Sequence, residues 1–82
     1  MIKILASLLE ENISIIIEDG DISVKTKSKD IEELVKSIYS EVLASYGPAD
    51  GSFGGVMAQE LAGVGAKIIE LTEPPNEDGV VY

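Results

Sequence analysis

An α+β fold is predicted for this chain by three observations. Two β-branched runs, Ile13 to Glu18 and Asp21 to Lys27, flank the turn signal Asp19-Gly20. The segment Ile31 to Tyr46 carries apolar residues at helical spacing. A later apolar run, Ile68, Ile69 and Leu71, follows a glycine-rich turn. The expected architecture is a helix, a β-hairpin, two helices and a third strand, forming one small sheet covered by helices on one face.

The first element, Ile2 to Glu11, places Ile2, Leu5, Leu8 and Leu9 at helical intervals before Glu10-Glu11-Asn12, which predicts a short amphipathic helix; a strand over Met1 to Leu5 is the alternative. In the hairpin, a two-residue turn at Asp19-Gly20 sets Ile17 opposite Ile22, Ile15 opposite Val24 and Ile13 opposite Thr26. One face is then apolar and the other polar, and Glu18 meets Asp21 as a like-charge pair. Asp30 is the expected N-cap of the long helix, with Glu33 completing a capping box, and Gly47-Pro48 its stop. Its apolar face comprises Ile31, Leu34, Val35, Ile38, Val42, Leu43 and Tyr46.

Residues 48–55, Pro-Ala-Asp-Gly-Ser-Phe-Gly-Gly, form a loop that feeds a second helix ending near Leu61. A strand over Lys67 to Leu71 then joins the hairpin. The remainder, residues 73–82, is expected to be a flexible acidic tail behind a single domain of residues 1–72.

Composition restricts the chemistry. The 82 residues include no Cys and no His, which excludes disulfides, zinc sites of the usual kinds, and Ser-His or Cys-His nucleophilic machinery. Fifteen carboxylates stand against six lysines, with no Arg, giving a net charge of −9 that repels nucleic acid and anionic membrane. No apolar run approaches the ~20 residues of a membrane span. A cytoplasmic protein without a cofactor is expected. A domain this small sits near the lower limit of independent stability, so self-association is a natural supplement.

Four features stand out. Lys25, Lys27 and Lys29 concentrate half the positive charge in five residues, which suits an acidic partner segment or protects a sheet edge from pairing. The loop 47–55, with Asp50, Gly51, Ser52, Gly54 and Gly55, offers amides and close approach to a small ligand, or is a capped helix-to-helix turn. It lacks the Lys and Ser/Thr of a phosphate-binding loop. The carboxylates Glu18, Asp19 and Asp21 do not have the spacing of a calcium loop and are read as turn chemistry. The terminal Val80-Val81-Tyr82 is either captured by a partner or tucked against its own domain.

Leu5, Leu8 and Leu9 before Ile13-Ser14-Ile15, then Gly20-Asp21-Ile22-Ser23-Val24, then Ile31 to Leu43, give an order that resembles the TubC-type N-terminal docking domains of peptide- and polyketide-assembly megasynthases. The resemblance covers residues 1 to about 45. It implies a noncatalytic αββα adaptor, able to dimerise, that pairs through its hairpin with a short acidic or complementary segment, with the Lys25–Lys27 strand as contacting edge.

Together these features predict a noncatalytic protein-protein interaction or adaptor domain that forms a homodimer or binds another protein. The alternative is a small-ligand-binding protein or enzyme component built on the loop 47–55.

Overall fold

Seven residues at the start of the chain can satisfy two periodicities, and the structure selects the shorter one. In the computed structural model, which describes residues 1–18, 20–47 and 53–73, Ile2–Leu8 is strand β1 and not a helix. Ile2, Ile4, Ala6 and Leu8 are buried, and the residues between them face away. Helical spacing picked Ile2, Leu5, Leu8 and Leu9; strand spacing instead sends Leu5 to the opposite face and Leu9 into a turn. A ten-residue helix is marginal by itself, whereas an extended segment here gains a full ladder to the next strand.

That next strand, β2, runs Glu11–Glu18 and pairs antiparallel with β1, from Ile2 opposite Ile17 to Leu8 opposite Glu11. Strand β3, Asp21–Lys25, pairs antiparallel with β2 in the register read from the turn: Ile17 opposite Ile22, Ile15 opposite Val24, Glu18 opposite Asp21. The ladder stops at Ser14–Lys25, one step short of the expected Ile13–Thr26 pair.

Helix α1, Lys29–Tyr46, begins two residues earlier than a capping box at Asp30 requires. Ser28 is the N-cap: its backbone is extended and its Oγ accepts from the Ile31 amide at 3.3 Å. Asp30 and Glu32 instead complement the helix dipole from within the first turn. The helix ends at Gly47, whose φ of 86° lets its amide turn back onto the Leu43 carbonyl at 2.9 Å. Helix α2, Phe53–Gly63, and strand β4, Lys67–Thr72, complete the described chain.

The fold is α+β, with one four-stranded antiparallel sheet in the order β3-β2-β1-β4 and both helices on one face. The hairpin therefore gains two strands, not one, and β4 joins through β1. Ile68 and Leu71 both reach the core although they are three apart, a spacing that a regular strand would send to opposite faces. A β-bulge resolves this. Ala6 pairs with Ile68 and Leu5 with Glu70, so Ile69 is the extra residue and lies exposed beside Glu70.

The core lies between the inner sheet face and the helices. Ile4 and Ile15 from the centre of the sheet meet Val35 of α1 and Met57 and Leu61 of α2, all fully buried. Tyr39 and Phe53 join the helices edge to face, with ring centroids 5.7 Å apart. Gly54 packs against the sheet: a Cβ there would lie 2.9 Å from Glu73 Oε2, 3.0 Å from Ile2 Cγ2 and 3.1 Å from Leu71 Cδ1. Leu34 and Tyr46, expected on the buried face of α1, are exposed. Among the described residues no helix is long and apolar enough to cross a membrane.

Candidate functional site

The β1–β2 connection has only two residues, Leu9 and Glu10, with φ of 52° and 64°. A two-residue loop with both residues at positive φ is a type I′ turn, a conformation that Asn and Gly enter easily and a leucine does not. Each side chain costs about 1 kcal/mol in the left-handed region. The turn also leaves Leu9 81% exposed. Strain and solvent exposure thus fall on the same large apolar residue at the tip of the sheet.

Two depressions flank this turn. One, about 220 Å³, is lined by Leu8, Leu9, Ser28, Asp30, Ile31, Leu34 and Val64. Leu34 at 38% and Val64 at 45% exposure make it an apolar hollow open to solvent. The other is an open groove of about 700 Å³ between Glu10, Glu11 and Asn12 on one side and Val24, Lys25, Thr26 and Lys27 on the other.

A hydrogen-bond relay holds the rim between them. The Glu11 carboxylate accepts from the Thr26 hydroxyl at 2.7 Å and from the Lys27 amide; Thr26 Oγ1 accepts from the Ser28 amide at 3.1 Å; and Ser28 caps α1. The start of β2, the exit of β3 and the start of α1 are tied in one chain. The Thr26 hydroxyl, followed by the Lys27 amide, holds the Glu11 carboxyl below the ordinary carboxylate range.

Of the residues singled out in the sequence, Lys25 and Lys27 line the same groove, while Lys29 stands beside it as the first residue of α1. All three are exposed. Among the described residues the only ion pair is Lys36 to Glu32 at 2.9 Å; Lys27 is near enough to Glu11 for its charge to help hold that carboxyl low. Strand β3 is a sheet edge, as a contacting or protected edge requires.

Gly54 and Gly55 of the glycine-rich segment fall within α2. Asp50, Gly51 and Ser52 lie outside the described residues, as do Asp19 and Val80-Val81-Tyr82. Gly54 is buried against Ile2 and Leu71, so close helix-to-sheet packing accounts for its lack of a side chain; a Cβ on Gly55 meets no atom of the described residues within 4 Å. Among the described residues no group of three metal-ligating side chains comes together.

Leu9 is the residue that sequence reasoning missed. Its signal is present only once Ile2–Leu8 is read as a strand, because the two remaining residues before β2 must then form the turn. The leucine-bearing leading segment that carries part of the docking-domain resemblance is likewise a strand here. No family model, no curated protein and no solved structure matches the chain.

Proposed function

We propose that this chain is a noncatalytic protein-binding module that receives an acidic partner segment at the end of the domain formed by the β1–β2 turn and the β3–α1 link. The observation that carries the reading is Leu9: an exposed leucine held in a strained turn, at the border of an apolar hollow. Strain of this kind is retained where it positions a side chain for contact.

The partner's chemistry follows from the two depressions. The hollow of Leu9, Leu34 and Val64 takes one large apolar side chain, and the rigid relay below it supplies a preformed wall. The groove beside it takes carboxylates, which Lys25 and Lys27 attract. Glu10 and Glu11 line the opposite side of the groove, and the Glu11 carboxylate is fixed there by the Thr26 hydroxyl and the Lys27 amide, so an incoming carboxylate is received on the Lys25 and Lys27 side.

A blocked peptide carrying one leucine and one phenylalanine among four aspartates tests the reading by amide chemical-shift titration. Shifts should cluster at Leu9, Lys27, Leu34 and Val64, and Leu9→Ser should abolish them. A peptide with lysines in place of the aspartates should not bind. Absence of clustered shifts with the acidic peptide, or equal binding of the basic one, overturns the proposal.

A further inference from the structure

The sheet face turned away from the helices bears no covering element among the described residues. Alternation places Lys3, Lys25 and Lys67 on it, together with Glu18, Asp21 and Glu70. Three lysines against three carboxylates make this face neutral, so the net charge of −9 lies elsewhere on the chain. The helix side carries exposed Asp30, Glu33, Glu41 and Glu60. Contact between two copies through their helices brings like charges together, whereas contact through their sheets brings together no net like charge.

The register shows more than neutrality. Lys25 pairs with Ser14, Ser14 with Leu5, and Leu5 with Glu70, so these four residues form one row across the sheet, with a lysine at one edge and a glutamate at the other. A two-fold axis parallel to the strands and lying between two stacked sheets places β3 of one copy over β4 of the other. Lys25 of each copy then lies over Glu70 of its mate, and both pairs form at once. Packed sheets sit about 10 Å apart, a gap that a lysine and a glutamate side chain span together. Leu5 and Ile16, half-exposed in the middle of the face, and the bulge residue Ile69, 58% exposed, supply its apolar contact.

We infer that the occupant of this face is a second copy of the chain, in a face-to-face dimer registered by reciprocal Lys25–Glu70 pairs. This goes beyond the partner site at the β1–β2 turn and stands without it. The apolar contact of this face is limited to Leu5, Ile16 and Ile69, so the dimer is expected to be weak and dynamic.

Sedimentation equilibrium of the full chain up to about 1 mM, a range suited to interfaces of this size, tests the inference. The expected result is a concentration-dependent dimer. Lys25→Glu and Glu70→Lys should each lower the association constant about tenfold or more through like-charge contact. The double variant, which swaps the pair, should return to within about threefold of the original, as coupled residues do. A monomer throughout, a dimer indifferent to both single changes, or a double variant as weak as the singles overturns it. Glu70 lies outside the peptide groove, so loss of dimer in Glu70→Lys with peptide binding intact separates this result from a failure of the partner site.

Discussion

The phenolic hydroxyl of Tyr39, halfway along α1, donates to the carbonyl oxygen of Gly20 at 3.0 Å. A buried helix residue thereby anchors the β2–β3 turn from beneath, while its ring packs on Phe53 of the second helix. Tyr39→Phe keeps the ring contact and removes only the hydrogen bond. Because Gly20 is exposed and its carbonyl can be rehydrated, the cost should be about 0.5–1.5 kcal/mol. Tyr39→Ala should cost about 3–5 kcal/mol by emptying the junction of both helices. Urea denaturation of the two variants checks the difference.

The turn at Leu9 and Glu10 carries strain that a different pair of residues would not. Leu9→Asn with Glu10→Gly should stabilise the domain by about 1–2 kcal/mol, since both residues then accept positive φ readily. The same double variant should lose the acidic peptide, because the exposed leucine is gone. A gain in Tm with unchanged peptide binding would separate the strain from the function assigned to it.

Gly54 and Gly55 are neighbours with opposite expectations. A Cβ on Gly54 meets Ile2 at 3.0 Å and Leu71 at 3.1 Å, so Gly54→Ala should destabilise by about 1–3 kcal/mol through overpacking. Gly55 is in the same helix with no atom of the described residues within 4 Å of an added Cβ, so Gly55→Ala should stabilise by about 0.5–1 kcal/mol. Thermal melts of the two single variants read the contrast directly.

The Glu11 carboxyl is held below its ordinary range by the Thr26 hydroxyl and the Lys27 amide. A folded value lower than the unfolded one means that ionised Glu11 stabilises the fold above the unfolded range, and that this contribution disappears as pH falls through the lowered folded value. Glu11→Gln keeps an acceptor but cannot titrate. The stability difference between the original chain and this variant should therefore be largest near neutrality and shrink on acidification. Denaturant melts across the acid range, taken as that difference, isolate the effect from the general relief of negative repulsion.

The sequence made the β2–β3 hairpin legible because Asp19-Gly20 and the alternation around it fix both turn and register; Glu18 and Asp21 pair as that register requires. The apolar spacing of α1 was equally plain. Strand β1 was not, because a short leucine-rich run fits both periods and Leu9-Glu10 gives no turn signal. Pairing with β2 decides the matter, and pairing is a property of the whole sheet. The bulge at Ile69 had a trace in the three-residue spacing of Ile68 and Leu71, which a strand cannot bury on one face without an extra residue. Of the site, Lys25 and Lys27 could be placed on a common face from alternation alone. The bond from Glu11 to Thr26 spans fifteen residues and exists only once the hairpin is extended to its far end.

The order β3-β2-β1-β4 also has a consequence in time. Strands β1, β2 and β3 can assemble as soon as residue 25 is available, since each pairs with its neighbour in the chain. Until Lys67–Thr72 arrives, however, β1 is an edge, with the amides and carbonyls that later bind β4 facing water. Closing that gap is a long-range step, because both helices lie between β1 and β4 in the chain, and long-range strand pairing is slow. A nascent form of this chain that lacks β4 thus exposes a strand rich in isoleucine and leucine, and β4 is what converts a sticky meander into a finished sheet.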